Sequence, residues 1–135
     1  MDAFQLVINF GMLVLIWMVQ LLIYPGFKYF ETKNLIIWHQ KYTRNMGVIV
    51  APLMLVQLGI HIYTTYLNFN VLETLNLVLV IFTWVYTFVY FVPLHRKISS
   101  GLFKKTDLLQ LENQNWWRTF VWSFIFILQL YIYIK

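Results

Sequence analysis

Apolar residues fall in four long runs, at about residues 3–24, 46–67, 71–92 and 116–134, and polar residues gather in the short stretches between them. Each run is near the ~20 residues that a helix rising ~1.5 Å per residue needs to cross ~30 Å of hydrocarbon. The pattern predicts an all-α integral membrane four-helix bundle in a single domain of four spans. Asn34, followed by Leu35 to Trp38 with no Pro or Gly before Gly47, predicts that the second helix starts well before its apolar run. Ser99, Ser100 and Gly101 mark the end of the third helix, and Thr106 with Asp107 the start of the fourth. Helices 2 to 4 are thus expected to extend past the membrane on one side. Pro25-Gly26 is expected to end the first helix, and Pro52 to kink the second.

Composition agrees, since 61% hydrophobic and 11% charged residues lie far from a water-soluble mixture. The net charge of +5 raises nucleic acid as a partner, but the basic residues sit in two of the loops, so nucleic-acid binding is set aside. With no cysteine, thiolate metal sites, disulfides and cysteine nucleophiles are excluded. The first run is preceded by Asp2, lacks a basic stretch and has no Ala-x-Ala pattern, and so reads as a retained helix.

Lys28, Lys33, Lys41 and Arg44 follow the first run, and Arg96, Lys97, Lys104, Lys105 and Arg118 surround the third connection; Asn68 to Asn70 carry no Lys or Arg. The positive-inside rule places the first and third connections in the cytoplasm and both termini outside, as in a bacterial cytoplasmic membrane.

Polar side chains within the runs define the candidate chemistry. His39, Gln57 and His61 share one helical face within about 40° at ~100° per residue. Gln57 and His61 need partners inside the membrane, for Gln57 Thr83 or Ser123, for His61 Gln57, Asn76 or Asn9. At the basic end, Tyr24, His39, Tyr42, Tyr90, His95, Asn115 and Arg118 come from all four helices. Imidazoles exchange protons near neutral pH, Tyr and Asn orient a substrate, and Arg holds an anion or carbonyl. His39, His95, Asn115 and Arg118 are the candidate catalytic residues; Tyr24, Tyr42, Tyr90 and Trp116 are the candidate substrate-binding residues. The alternative is that His39 and His95 are ordinary interfacial residues and Arg118 reaches toward lipid headgroups. No phosphate loop, His-Glu-x-x-His or nucleophile elbow is present.

Three stretches, Trp38-His39-Gln40-Lys41-Tyr42 running into Ala51-Pro52-Leu53-Met54, Phe91-Val92-Pro93-Leu94-His95, and Asn115-Trp116-Trp117-Arg118-Thr119, together resemble small four-helix bacterial membrane proteins distantly similar to the anthrone-oxygenase-like membrane family. The resemblance implies oxidation of a hydrophobic aromatic or quinone-like molecule, with His39, His95, Asn115 and Arg118 at the matching positions. Gln57 departs from it, because an acidic residue is expected after the Pro-Leu-Met stretch. Two other functions stay open: a non-catalytic assembly partner or small carrier or channel subunit, for which a homo-oligomer would supply the axis, and a haem electron-transfer protein ligated by His39 and His95.

Overall fold

The computed structural model describes residues 2–135, and every regular element among them is helical. Four helices, α1 (Asp2–Tyr29), α2 (Thr32–Leu67), α3 (Val71–Ser99) and α4 (Lys105–Ile134), are each long and apolar enough to cross a membrane. At 1.5 Å per residue α2 is about 54 Å long, well beyond ~30 Å of hydrocarbon. Its first turns, with the last turns of α3 and the first of α4, project past the apolar runs; α2 starts at Thr32 after Glu31 and α4 at Lys105 after Lys104, so Asn34 and Thr106 lie inside their helices and do not cap them. Neighbours close a ring: α1 packs on α2 and α4, and α3 packs on the same two.

Short signals set the helix ends. Asn70 caps α3 by accepting from the backbone N–H groups of Leu72 (3.0 Å) and Glu73 (3.1 Å). Gly101 takes the left-handed conformation (φ 77°) that stops α3 with little strain. Asp107 caps α4 from its third position, accepting from the Lys104 N–H at 2.7 Å and from the Lys97 ammonium at 2.9 Å.

Pro25-Gly26 does not end α1. The helix instead opens into a π turn over Val19–Ile23, passes through Pro25, and closes in a 3₁₀ turn at Phe27–Tyr29. Proline cannot donate to the carbonyl four residues back. The wider turn shifts the ladder in advance, with the Tyr24 N–H bonded to the Val19 carbonyl, five residues earlier. The same device recurs in α3, where Thr87–Phe91 is a π turn, the Val92 N–H bonds to the Thr87 carbonyl, and Pro93 follows. Pro52 lies inside α2, which continues unbroken to Leu67.

Polar side chains are buried alongside an apolar core that includes Met12, Phe91, Leu111 and Ile125. Gln5, Gln20, His39, Gln57, His61 and Asn115 are buried, whereas Val7, Leu22, Val48, Leu55 and Val89 face outward. Lipid gives apolar side chains no reason to hide, but an amide in hydrocarbon needs a partner.

Candidate functional site

A cavity of about 350 Å³ lies among the helices in the half nearer the basic end. Its walls are apolar, with Met12 and Ile16 from α1, Val50 and Met54 from α2, Phe91 from α3 and Trp122 from α4. Tyr24, Tyr42, His95, Thr87 and Arg118 make it polar at one end. Gly47 and Arg96, which also line it, are exposed, so the cavity opens sideways between α2 and α3. The π turn of α3 borders this gap; α2 packs on the segments before and after it. Both π turns therefore widen helices beside the cavity and place Tyr24 and His95 just after the widened turns.

Hydrogen bonds connect the polar end in series. The Arg118 Nη2 donates to the Tyr24 hydroxyl (3.0 Å), which lies 3.0 Å from the His95 Nε2. The His95 Nδ1 is 2.9 Å from the His39 Nε2, and the His39 Nδ1 is 2.7 Å from the Ser99 Oγ. A guanidinium can only donate, so the Tyr24 hydroxyl accepts from Arg118 and keeps its proton and a second lone pair for other partners. One proton lies between His95 Nδ1 and His39 Nε2, so the two neutral rings share a tautomer: with both protonated on Nδ1 the series runs from Tyr24 to Ser99, and with both protonated on Nε2 it runs from Ser99 to Tyr24. Every link is satisfied with both imidazoles neutral. If both were imidazolium, two N–H groups would face each other at 2.9 Å.

Arg118 is anchored on its other side. Its Nε and Nη2 donate to the Asn115 Oδ1 (2.9 and 2.6 Å), its Nη1 donates to the Thr87 Oγ1 (3.2 Å), and its guanidinium carbon lies 3.6 Å from the centre of the Phe91 ring. Asn115 donates to the Gln20 Oε1 (2.9 Å), and Gln20 reaches the Glu112 carbonyl (3.1 Å). Arg118 is 7% exposed and points inward, so it does not reach for headgroups.

Of the residues expected at the site, Tyr24, His39, His95, Asn115 and Arg118 share this network, and Tyr42 lines the cavity with its ring edge-on to Phe27. Tyr90 and Trp116 do not line it. Tyr90 stacks on Tyr86 and Trp116 packs edge-on against Trp17, because both lie on helix faces turned away from the opening. Gln20, Thr87 and Ser99 belong to the site and were not foreseen. An amide inside the first apolar run was the available signal for Gln20.

Gln57 and His61 build a second polar cluster toward the termini. Gln57 donates to the Asn9 Oδ1 (2.8 Å) and accepts from the Trp122 Nε1 (3.1 Å), not from Thr83 or Ser123. His61 lies between Asn9 (3.1 Å) and Gln5 (3.0 Å), and Gln5 donates to the Glu73 Oε2 (3.4 Å). Trp122 both lines the cavity and contacts this cluster, so polar contacts run through most of the interior.

His39 and His95 do not fit the two faces of a haem. Their facing nitrogens share one proton, and the rings lie 5.0 Å apart and 23° from parallel, with no gap for a macrocycle between them. Among the described residues no group of three or more His, Asp or Glu side chains is placed to hold a metal ion.

No protein-family model, curated protein or solved structure matches the chain.

Proposed function

We propose that this is a four-helix membrane bundle that admits a hydrophobic aromatic or quinone-like molecule from the bilayer and acts on it as an oxidoreductase. The carrying observation is the apolar cavity with Arg118, Tyr24 and His95 at one end. About 350 Å³ is within the usual range for small-molecule sites, and apolar walls with a few convergent polar groups are their usual make-up. Arg118 and Tyr24 hold an oxygen atom of the ligand, Asn115 fixes Arg118, and His95 and His39 take up or return protons. Positive-inside charge supports a bacterial cytoplasmic membrane with the basic end in the cytoplasm and the termini outside.

In the test reaction a 1,4-dihydroxynaphthalene loses two electrons and two protons to become the quinone, and dioxygen takes them up as hydrogen peroxide. Protein in lipid nanodiscs is expected to raise the rate above that of empty nanodiscs, and His95→Ala and His39→Ala are expected to remove the gain while the helices stay folded. Full activity in both variants would overturn the assignment.

A second reading, a carrier or channel subunit without catalysis, is favoured by the length of the polar interior, which reaches from Ser99 to Glu73. Proteoliposomes with a trapped pH dye separate the two, because the catalytic reading expects no proton leak above that of lipid alone.

A further inference from the structure

Arg118 brings a permanent positive charge into the interior, and no carboxylate meets it. Among the described residues the ion pairs join Lys28 to Glu112 and Lys97 to Asp107. Of the buried acids, Glu73 is bonded to Gln5 at the far end and Asp107 to Lys97 and the Lys104 N–H. The immediate partners of the guanidinium are neutral: the Asn115 amide, the Thr87 and Tyr24 hydroxyls and the Phe91 ring. In a low-dielectric interior, neutral dipoles compensate a charge less completely than an opposite charge does.

Donor counting points the same way. A guanidinium has five N–H groups. Asn115 takes one from Nε and one from Nη2, Tyr24 takes the second of Nη2, and Thr87 takes one of Nη1. One Nη1 hydrogen is left, and both Arg118 and Thr87 line the cavity.

Resting on the cavity reading above, we infer that the ligand is bound as a monoanion: an oxyanion, such as a carboxylate or phenolate, on an apolar body. The oxyanion accepts from the remaining Nη1 hydrogen and supplies the missing counter-charge. Its apolar part lies along Met12, Ile16, Val50 and Met54. The same chemistry is available from a lipid-soluble acid and from the headgroup phosphate of an anionic lipid entering between α2 and α3.

The experiment compares 9-anthracenecarboxylate with its uncharged methyl ester, by fluorescence, on protein in phosphatidylcholine nanodiscs at mildly alkaline pH. The acid is expected to bind about tenfold tighter than the ester, as a counter-charge in a partly desolvated site requires. Arg118→Gln should abolish that preference, weakening acid binding about tenfold more than ester binding. If Arg118→Gln does not fold, the acid-to-ester ratio of the unaltered protein decides alone. Added phosphatidylglycerol that displaces the acid identifies a lipid headgroup as the source of the anion, and failure to displace it identifies a lipid-soluble acid. Equal binding of acid and ester overturns the inference and leaves the cavity reading intact, whereas binding of neither overturns both.

Discussion

The Nε2 of His39 lies 2.9 Å from the Nδ1 of His95, on side chains carried by different helices and flanked by Ser99 on one side and Tyr24 on the other. Because one proton lies between the facing nitrogens, the two neutral imidazoles hold their protons on the same atom, both on Nδ1 or both on Nε2. Nitrogen-15 NMR of labelled protein should show the same tautomer at both positions near neutral pH. A proton on Nδ1 of one ring and on Nε2 of the other would break the series. Tyr24→Phe removes the hydroxyl beside the His95 Nε2 and should leave the matched tautomers in place, since the contact between the two rings is unchanged.

Gln57 is the hinge of the second cluster, holding Asn9 from its amide nitrogen and Trp122 from its oxygen. Gln57→Leu removes both bonds at similar volume and leaves the indole N–H without its partner. Interhelical bonds in membranes average about 0.6 kcal/mol with a maximum near 1.7, so a loss of roughly 1–2 kcal/mol is expected. Equilibrium unfolding in mixed detergent measures it, and a Gln57→Leu, Asn9→Leu double variant should lose less than the sum of the singles.

Convergence of His39, His95, Asn115 and Arg118 was legible because scarce hydrogen-bonding groups in an apolar chain have few places to go except toward one another. Depth alone brought these four together. Which face each side chain takes was less legible. Tyr90 and Trp116 lie at the right depth but turn away, and aromatic rings satisfy lipid and protein equally well, so nothing in their chemistry fixed a direction. The π turns were hidden for another reason. Pro25-Gly26 reads as a stop by local preference, but the carbonyl groups it would leave unpaired make a widened turn the better solution in an apolar setting. Gln57 was correctly expected inside, yet its partners came from α1 and α4 residues that no periodicity within α2 specifies.

The absence of cysteine makes the proposed orientation directly testable. Ser100→Cys and Phe69→Cys place single thiols on exposed positions at opposite ends. In intact cells a membrane-impermeant maleimide should label Phe69→Cys, and it should label Ser100→Cys only after the membrane is opened. The reverse pattern would place the basic end outside.

Asp107 gives a pH signature on the loop side, well before the apolar run that begins at Trp116. The Lys104 N–H and the Lys97 ammonium hold its carboxyl below the usual carboxylate range. A depressed folded value contributes stability fully above the ordinary carboxylate pKa of ~3.9, and the contribution is lost as pH falls through the lower, folded value. Asp107→Asn should therefore cost about 1 kcal/mol at neutral pH, a typical cap loss, and shrink the difference from the unaltered protein as the pH is taken through the acid limb. A constant difference down to the lowest pH would assign the loss to packing instead.

Gly47 separates helix stability from ligand access. It lies inside α2, lines the cavity, and a Cβ built on it would meet nothing within 4 Å. No tight packing or left-handed backbone demands glycine there. Gly47→Ala should raise stability by about 0.8–1 kcal/mol, the helix preference of alanine over glycine, and a single methyl should leave probe binding nearly unchanged. Gly47→Phe adds a ring at the opening between α2 and α3, so it should keep the fold and lose binding of the anthracene probes. If Gly47→Phe binds them as well as the unaltered protein, ligands do not enter past this turn. If Gly47→Ala instead lowers stability, the open space beside it is taken up in the membrane, by lipid or by another copy of the chain.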